Sequence, residues 1–175
     1  MLRFFAFVIA CCSSLMLQAQ AGPVFPFLGQ PVAAFRDSIL CKDALHLDQR
    51  YDEYPACKSF LITPSTVLYR YGAMEFQSVL LFPAESGKVT SFSHMKSYLE
   101  NDTGRTVKQD QALLKNYFSS YYGAPEIKRV QTDYTDDRSM IWKKDGIKII
   151  LMTNRIMKRM NVRLRHLLQL HIEME

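Results

Sequence analysis

The chain has 175 residues, 48% of them apolar and 22% charged, with 22 Lys and Arg against 17 Asp and Glu. That length and balance fit one domain with a hydrophobic core, and no low-complexity tract or long linker interrupts it. The net charge of +5 comes with no recognised nucleic-acid motif, so no nucleic-acid partner is expected.

Met1-Leu-Arg3 is a short basic start, Phe4 to Leu17 is apolar, and Ala19-Gln-Ala21 is a small-x-small cleavage site. Together they predict a secretory signal peptide over 1–21 and a single domain over 22–175, placed in the periplasm or secreted. The apolar run is too short and wrongly flanked for an anchor, so no transmembrane segment is expected once it is removed. Val8-Ile-Ala-Cys11 superficially matches a lipoprotein box, but the apolar run continues past Cys11, which argues against lipidation. Export leaves two cysteines, Cys41 and Cys57. In an oxidising compartment such an isolated pair reads as a disulfide, stabilising by roughly 3 kcal/mol in the chain-entropy view.

Pro31 at a first helical position, followed by Val32, Phe35 and Ile39, predicts a short helix reaching Cys41. Lys42 to Lys58 is polar and loop-like. Phe60-Leu-Ile62 and Thr66–Tyr71 read as strand, Gly72-Ala73 as a turn, and Met74–Phe82 as a further strand. Pro83–Gly87 is a turn and Val89–Tyr98 a strand.

Thr106-Val-Lys-Gln109 fits a capping box at the start of a second helix. Val107, Leu114, Phe118 and Tyr121 form its apolar stripe, broadened by Leu113 and Tyr117, and Gly123 with Pro125 closes it. The period then changes to two. Ile127–Tyr134 is one run, Asp136-Asp137 a turn, and Arg138–Lys144 and Ile147–Thr153 are two strands joined by Asp145-Gly146. An Asp-Gly pair between apolar runs predicts a two-residue hairpin turn, which sets Trp142 opposite Ile149 and Met140 opposite Leu151 on the core face. Alternation over Val162–Met174 favours a return strand, with Asn154–Arg159 as a basic hairpin tip, although Ile156, Met160, Leu164, Leu167, Leu168 and Ile172 also fit a helix. The fold class expected is α+β: an antiparallel sheet with two helices packed on one face, a single domain and one disulfide.

A helix ending in Tyr122-Gly-Ala-Pro125, followed by a meander carrying Trp142 before an Asp-Gly turn, resembles small bacterial periplasmic domains of unknown function. The same helix-then-meander order is similar to the outer-membrane assembly lipoprotein BamE and to the beta-lactamase inhibitor protein. The resemblance carries over no functional residue. It implies a binding or scaffold module rather than an enzyme.

Charge is the one asymmetry along the chain. Arg138 to Arg165 holds nine basic residues and one acid, Asp145, whereas residues 22–137 hold twelve basic and fourteen acidic ones. A basic region on a mildly acidic protein attracts an anionic surface or partner. His46, His94, His166 and His171 show no metal spacing, and His166 and His171 belong on opposite faces of a strand. Ser93-His-Met-Lys96 fits a Ser-x-x-Lys pattern, yet Ser-Asp-Asn and Lys-Thr-Gly are absent. No catalytic residue, cofactor or metal is therefore assigned. The expectation is an exported cell-envelope binding or accessory module acting by surface contact, its partner an unknown protein or an anionic envelope surface. The alternative is an inhibitor or immunity-type protein that occludes another protein's active site. Arg155, Lys158, Arg159 and Arg163 are the candidate binding residues.

Overall fold

The computed structural model describes residues 22–42, 47–50, 60–62, 69–76, 78–98, 105–132, 135–156 and 166–175. A 3-10 helix, Val32–Ser38, leads into three short strands, β1 (Ile39–Lys42), β2 (Leu47–Arg50) and β3 (Phe60–Ile62). A hairpin of β4 (Tyr69–Tyr71) and β5 (Met74–Phe76) precedes β6 (Val79–Pro83) and β7 (Val89–Tyr98). The α-helix α1 (Arg105–Tyr122) is followed by β8 (Glu126–Gln131), β9 (Thr135–Lys144), β10 (Ile147–Ile156) and β11 (His166–Met174). Among the described residues, nine strands form one sheet in the order β2-β1-β3-β6-β7-β11-β10-β9-β8, and β4-β5 stands apart as a two-stranded sheet. Every pairing is antiparallel.

The expected α+β fold with two helices on a sheet is overturned: the described chain is mostly antiparallel β with one α-helix. The helix predicted after Pro31 is the 3-10 segment, where Val32 and Phe35 stand three apart, one turn of that tighter spiral. It stops at Ser38 because Ile39, Leu40 and Cys41 pair with Ile62, Leu61 and Phe60 on β3. Sheet pairing outcompetes a weak local helix preference there. No disulfide is present among the described residues; Cys41 lies on β1, and Cys57 lies outside them.

The helix after residue 104 is where the pattern put it, with its start shifted. α1 begins at Arg105, so Thr106 sits in the first turn and not at the cap. Val107, Leu114 and Phe118 are buried, whereas Leu113 is 42% exposed. Gly123 adopts a φ of 81°, and its N–H donates to the Ser119 carbonyl at 3.0 Å, closing the last turn.

Asp145 and Gly146 have φ values of 54° and 73°, as the predicted turn requires. The register is the predicted one: Lys144 opposite Ile147, Trp142 opposite Ile149, Met140 opposite Leu151. All four core residues are buried, and β11 pairs with β10 by setting Ile172 opposite Ile149 and Leu170 opposite Leu151. Other boundaries move. Asp136-Asp137 lies inside β9, where Asp136 pairs with Gln131 and Asp137 with Val130 of β8. Asn154, Arg155 and Ile156 extend β10, while 157–165 lies outside the described residues. The run Met74–Phe82 divides between β5 and β6, so that Phe76 and Val79 are buried in different sheets. The presumed loop over Lys42–Lys58 contains β2.

One face of the sheet carries α1 and the β4–β5 hairpin. Between them lies an aromatic core in which Phe118 meets Trp142 with ring centroids 5.7 Å apart and Tyr71 meets Phe118 at 5.5 Å. Each large side chain buried here contributes roughly 1.5–3 kcal/mol relative to exposure. No helix of the described residues is long and apolar enough to cross a membrane.

The Trp142 indole N–H donates to the Gly123 carbonyl at 3.0 Å, supplying a donor to the C-terminal end of α1. Trp142→Phe should therefore lower stability by about 2–4 kcal/mol, combining a lost hydrogen bond with a partly filled cavity. Urea unfolding monitored by far-ultraviolet circular dichroism would read this as a lower midpoint at unchanged slope; an unchanged midpoint would show that the indole does not anchor the helix.

Candidate functional site

Positions of one parity on β9, β10 and β11 face α1. Read away from the Asp145-Gly146 turn, β9 presents Trp142, Met140, Arg138 and Asp136 on that face. β10 presents Ile149, Leu151, Thr153 and Arg155, and β11 presents Ile172, Leu170, Leu168 and His166. On all three strands the apolar series ends near the same level, where Arg138 pairs with Thr153 and Arg155 lies between Asp136 and His166. α1 covers the apolar part, and its first turns bring Val107, Lys108 and Gln111 to the edge of the polar part.

The result is a groove of about 300 Å³ bordered by Lys108, Gln111, Arg138, Thr153, Arg155 and His166. The Gln111 amide donates to the Thr153 hydroxyl at 3.3 Å. Asp136 is the acid in this lining, and Arg129 from β8 donates to both its oxygens, at 2.7 and 2.8 Å. Those hydrogen bonds hold the Asp136 carboxyl below its ordinary range, and the charges of Arg138 and Arg155 push the same way. Among the described residues, no carboxylate forms an ion pair with Lys108, Arg138 or Arg155. The groove thus carries positive charge that its own acid does not neutralise.

Of the predicted binding residues, Arg155 borders this groove; Lys158, Arg159 and Arg163 lie outside the described residues. Sequence reasoning missed Lys108, Arg138 and His166. Arg138 was accessible to it: extending the predicted Trp142–Met140 face by one more alternation reaches that residue. Lys108 depends on how α1 crosses the sheet, for which no local signal exists.

A second cluster lies on the opposite face of the sheet. Gln169 donates to Ser93 Oγ at 3.3 Å, Ser93 lies 2.7 Å from His171 Nδ1, and His171 Nε2 lies 3.2 Å from Glu173. With Gln169 donating to it, the Ser93 hydroxyl gives its own proton to Nδ1, and Nε2–H points to the carboxylate. Glu173 also pairs with Lys148, the main reason its carboxyl sits below the ordinary range. The connectivity is that of a nucleophile, base and carboxylate. However, Ser93 is 1% exposed and sits mid-strand, where flanking backbone N–H groups belong to the sheet ladder. Among the described residues, neither an approach path for an acyl group nor an oxyanion site accompanies it. The cluster is a hydrogen-bonded relay that satisfies a buried hydroxyl. Ser93 and Lys96 of the Ser-x-x-Lys pattern face opposite sides of β7, and Lys96 is paired with Asp110 at 2.7 Å.

A larger groove, about 610 Å³, runs between the β4–β5 hairpin, β7 and α1. Its charges are mutually engaged: Lys96 and the Tyr98 hydroxyl both donate to Asp110, at 2.7 and 2.6 Å, and Glu75 pairs with Arg70. It therefore offers a ligand little uncompensated charge.

Comparison with protein-family models, characterised proteins and solved structures finds no match to the chain. The functional reading consequently rests on the groove's own chemistry.

Buried beneath the β4–β5 hairpin, His94 is the remaining titratable group of interest. Its Nδ1 lies 2.8 Å from the Ser78 carbonyl, to which it donates, leaving Nε2 to accept from the Tyr71 hydroxyl at 3.1 Å. Phe76 stacks on the ring at 4.9 Å. Burial pushes the imidazole down to about 4 from 6.5, against the opposing effect of the Ser78 hydrogen bond. The unfolded chain protonates first as pH falls, so this contribution to stability is complete above about pH 6.5. It is lost as pH drops towards 4, by about 3 kcal/mol. His94→Leu should be less stable than wild type at pH 7, and the gap should narrow by about that amount between pH 7 and 4. A gap that stays constant in urea titrations across this range would remove His94 as the source.

Proposed function

We propose that this chain is an exported binding or accessory module of the cell envelope, working by contact between the basic end of its sheet and an anionic surface. The observation that carries the reading is the unneutralised charge of Lys108, Arg138 and Arg155 at one end of the apolar core. The sequence that follows β10, residues 157–165, contains Lys158, Arg159, Arg163 and Arg165 with no acidic residue. Charges so gathered act together on a partner within a Debye length, roughly 8 Å at physiological salt. Residues held at the end of a rigid sheet also lose little entropy on contact.

Vesicles of phosphatidylglycerol diluted in phosphatidylcholine provide the test. The protein should bind them and should ignore phosphatidylcholine alone, with affinity falling as salt rises. Replacing Lys158, Arg159 and Arg163 together by Ser should weaken binding by on the order of 3 kcal/mol, about 1 kcal/mol for each cation near the surface. Wild-type protein that leaves anionic vesicles unbound at low salt would refute the reading.

Export is part of the same proposal, supported by the basic start, apolar run and Ala19-Gln-Ala21 site. Mass spectrometry of protein recovered from its native host should find Gly22 at the N-terminus. An intact Met1 would place the protein in a different compartment.

A further inference from the structure

We propose that the groove between α1 and the ends of β9, β10 and β11 is a discrete phosphomonoester site, and not only one part of a diffusely basic surface. The proposal rests on the surface-contact reading above and gives it a ligand class.

Charge number is the first argument. Lys108, Arg138 and Arg155 border the same small volume, while Asp136 is already held at two points by Arg129. Like charges brought to one groove repel one another, and a single carboxylate or phosphodiester neutralises only one of them. A phosphomonoester carries close to two charges at neutral pH and three terminal oxygens that accept hydrogen bonds.

Geometry is the second. Arg138 is directly opposite Thr153, and Arg155 follows two positions later on the same face of β10. They are thus diagonal neighbours on adjacent strands, with backbones about 7–8 Å apart. Two guanidinium forks at that separation can address different oxygens of one tetrahedral anion, a match that planar carboxylates use less fully. Lys108 adds a point charge from the helix side. The Thr153 hydroxyl already donates to the Arg138 carbonyl at 3.5 Å and accepts from Gln111, so the neutral donor left for a ligand is the second amide proton of Gln111.

Size is the third argument. At about 300 Å³ the groove stands at the lower limit of small-ligand sites. Phosphate alone would leave space, so an attachment of glycerol or monosaccharide size belongs with it. The same chemistry is offered by a soluble sugar or glycerol phosphate and by the exposed terminal phosphate of a lipid such as phosphatidic acid.

The test uses the full chain after signal removal, with glycerol 3-phosphate as the soluble probe in calorimetric titration. Two vesicle sets are compared at equal surface charge, phosphatidic acid for the monoester and phosphatidylglycerol for the diester. Saturable one-to-one binding of glycerol 3-phosphate is expected, along with preference for phosphatidic acid over phosphatidylglycerol. Arg138→Gln with Arg155→Gln should weaken soluble binding about a hundredfold, as two charge-assisted contacts are lost, whereas Lys88→Gln with Lys115→Gln should not. Lys108→Gln, a surface substitution on α1, repeats the test with little risk to folding. Vesicle affinity well above that for the soluble probe identifies a lipid headgroup as the source; equal affinities identify a free phosphate ester. Absence of saturable binding, or an equal loss in the Lys88/Lys115 control, overturns the site. If both vesicle sets bind equally and the soluble probe does not, the site falls and the surface-contact reading stands. If glycerol 3-phosphate binds but neither vesicle set does, the surface-contact reading falls and the site stands.

Discussion

Two consecutive residues with positive φ, Asp145 and Gly146, determine what the rest of the sheet can present. A two-residue turn of this kind leaves one register for β9 and β10, and the ladder to β11 passes that register on through Ile149 opposite Ile172. A slip of β9 by a single residue against β10 would turn Trp142 and Met140 to the face opposite Ile149 and Leu151. It would also turn Arg138 away from α1 and from Arg155. The core and the basic groove thus depend on one turn, although the groove lies at the far end of the hairpin from it.

α1 explains why the charged end stays open. At one end the helix is tied by the Trp142 indole to the Gly123 carbonyl, and near the other by Gln111 to Thr153. Its buried stripe of Val107, Leu114 and Phe118 covers the apolar stretch of the three strands. Arg138 and Arg155 come where that stripe has run out. Burying unpaired guanidinium groups under a helix would cost several kcal/mol each, so they remain at the margin with access to solvent. The boundary of the core and the boundary of the groove are therefore the same line, drawn by the change from Leu151 to Thr153 and from Met140 to Arg138.

How much of this was legible follows from where the controlling signals lie. The Asp145-Gly146 turn, the core face of Trp142 and the strand character of His166–Met174 are local patterns, readable from period and turn chemistry. The closing glycine of α1 is equally local. The α-helix expected after Pro31 was not realised as such, because Ile39 to Cys41 are claimed by β3, a partner about twenty residues away that no window around Pro31 reveals. β8 matched its strand pattern without the burial that alternation usually indicates. It is an edge strand, with Ile127 60% and Val130 59% exposed. Arg155 belongs by its local sequence to a hairpin tip; the ladder instead continues to Ile156 and seats it opposite Asp136. The pairing of Arg155 with Lys108 across a groove required the path of the helix, which is a tertiary property.

The two polar clusters on opposite faces of this sheet show why composition alone does not make a site. Ser93, His171, Glu173 and Gln169 include the residue types of acyl-transfer chemistry, and their hydrogen bonds connect in a chain. Each group in that chain already has a partner, and the hydroxyl is closed to solvent, so the network's free energy is spent in holding β7 and β11 together. Lys108, Arg138 and Arg155 lack the residue variety of an active site, yet they are accessible and their charge is left without a paired acid among the described residues. A ligand gains only from interactions that the folded protein has not already made for itself. By that criterion the relay is complete, whereas the groove retains binding capacity for an anion.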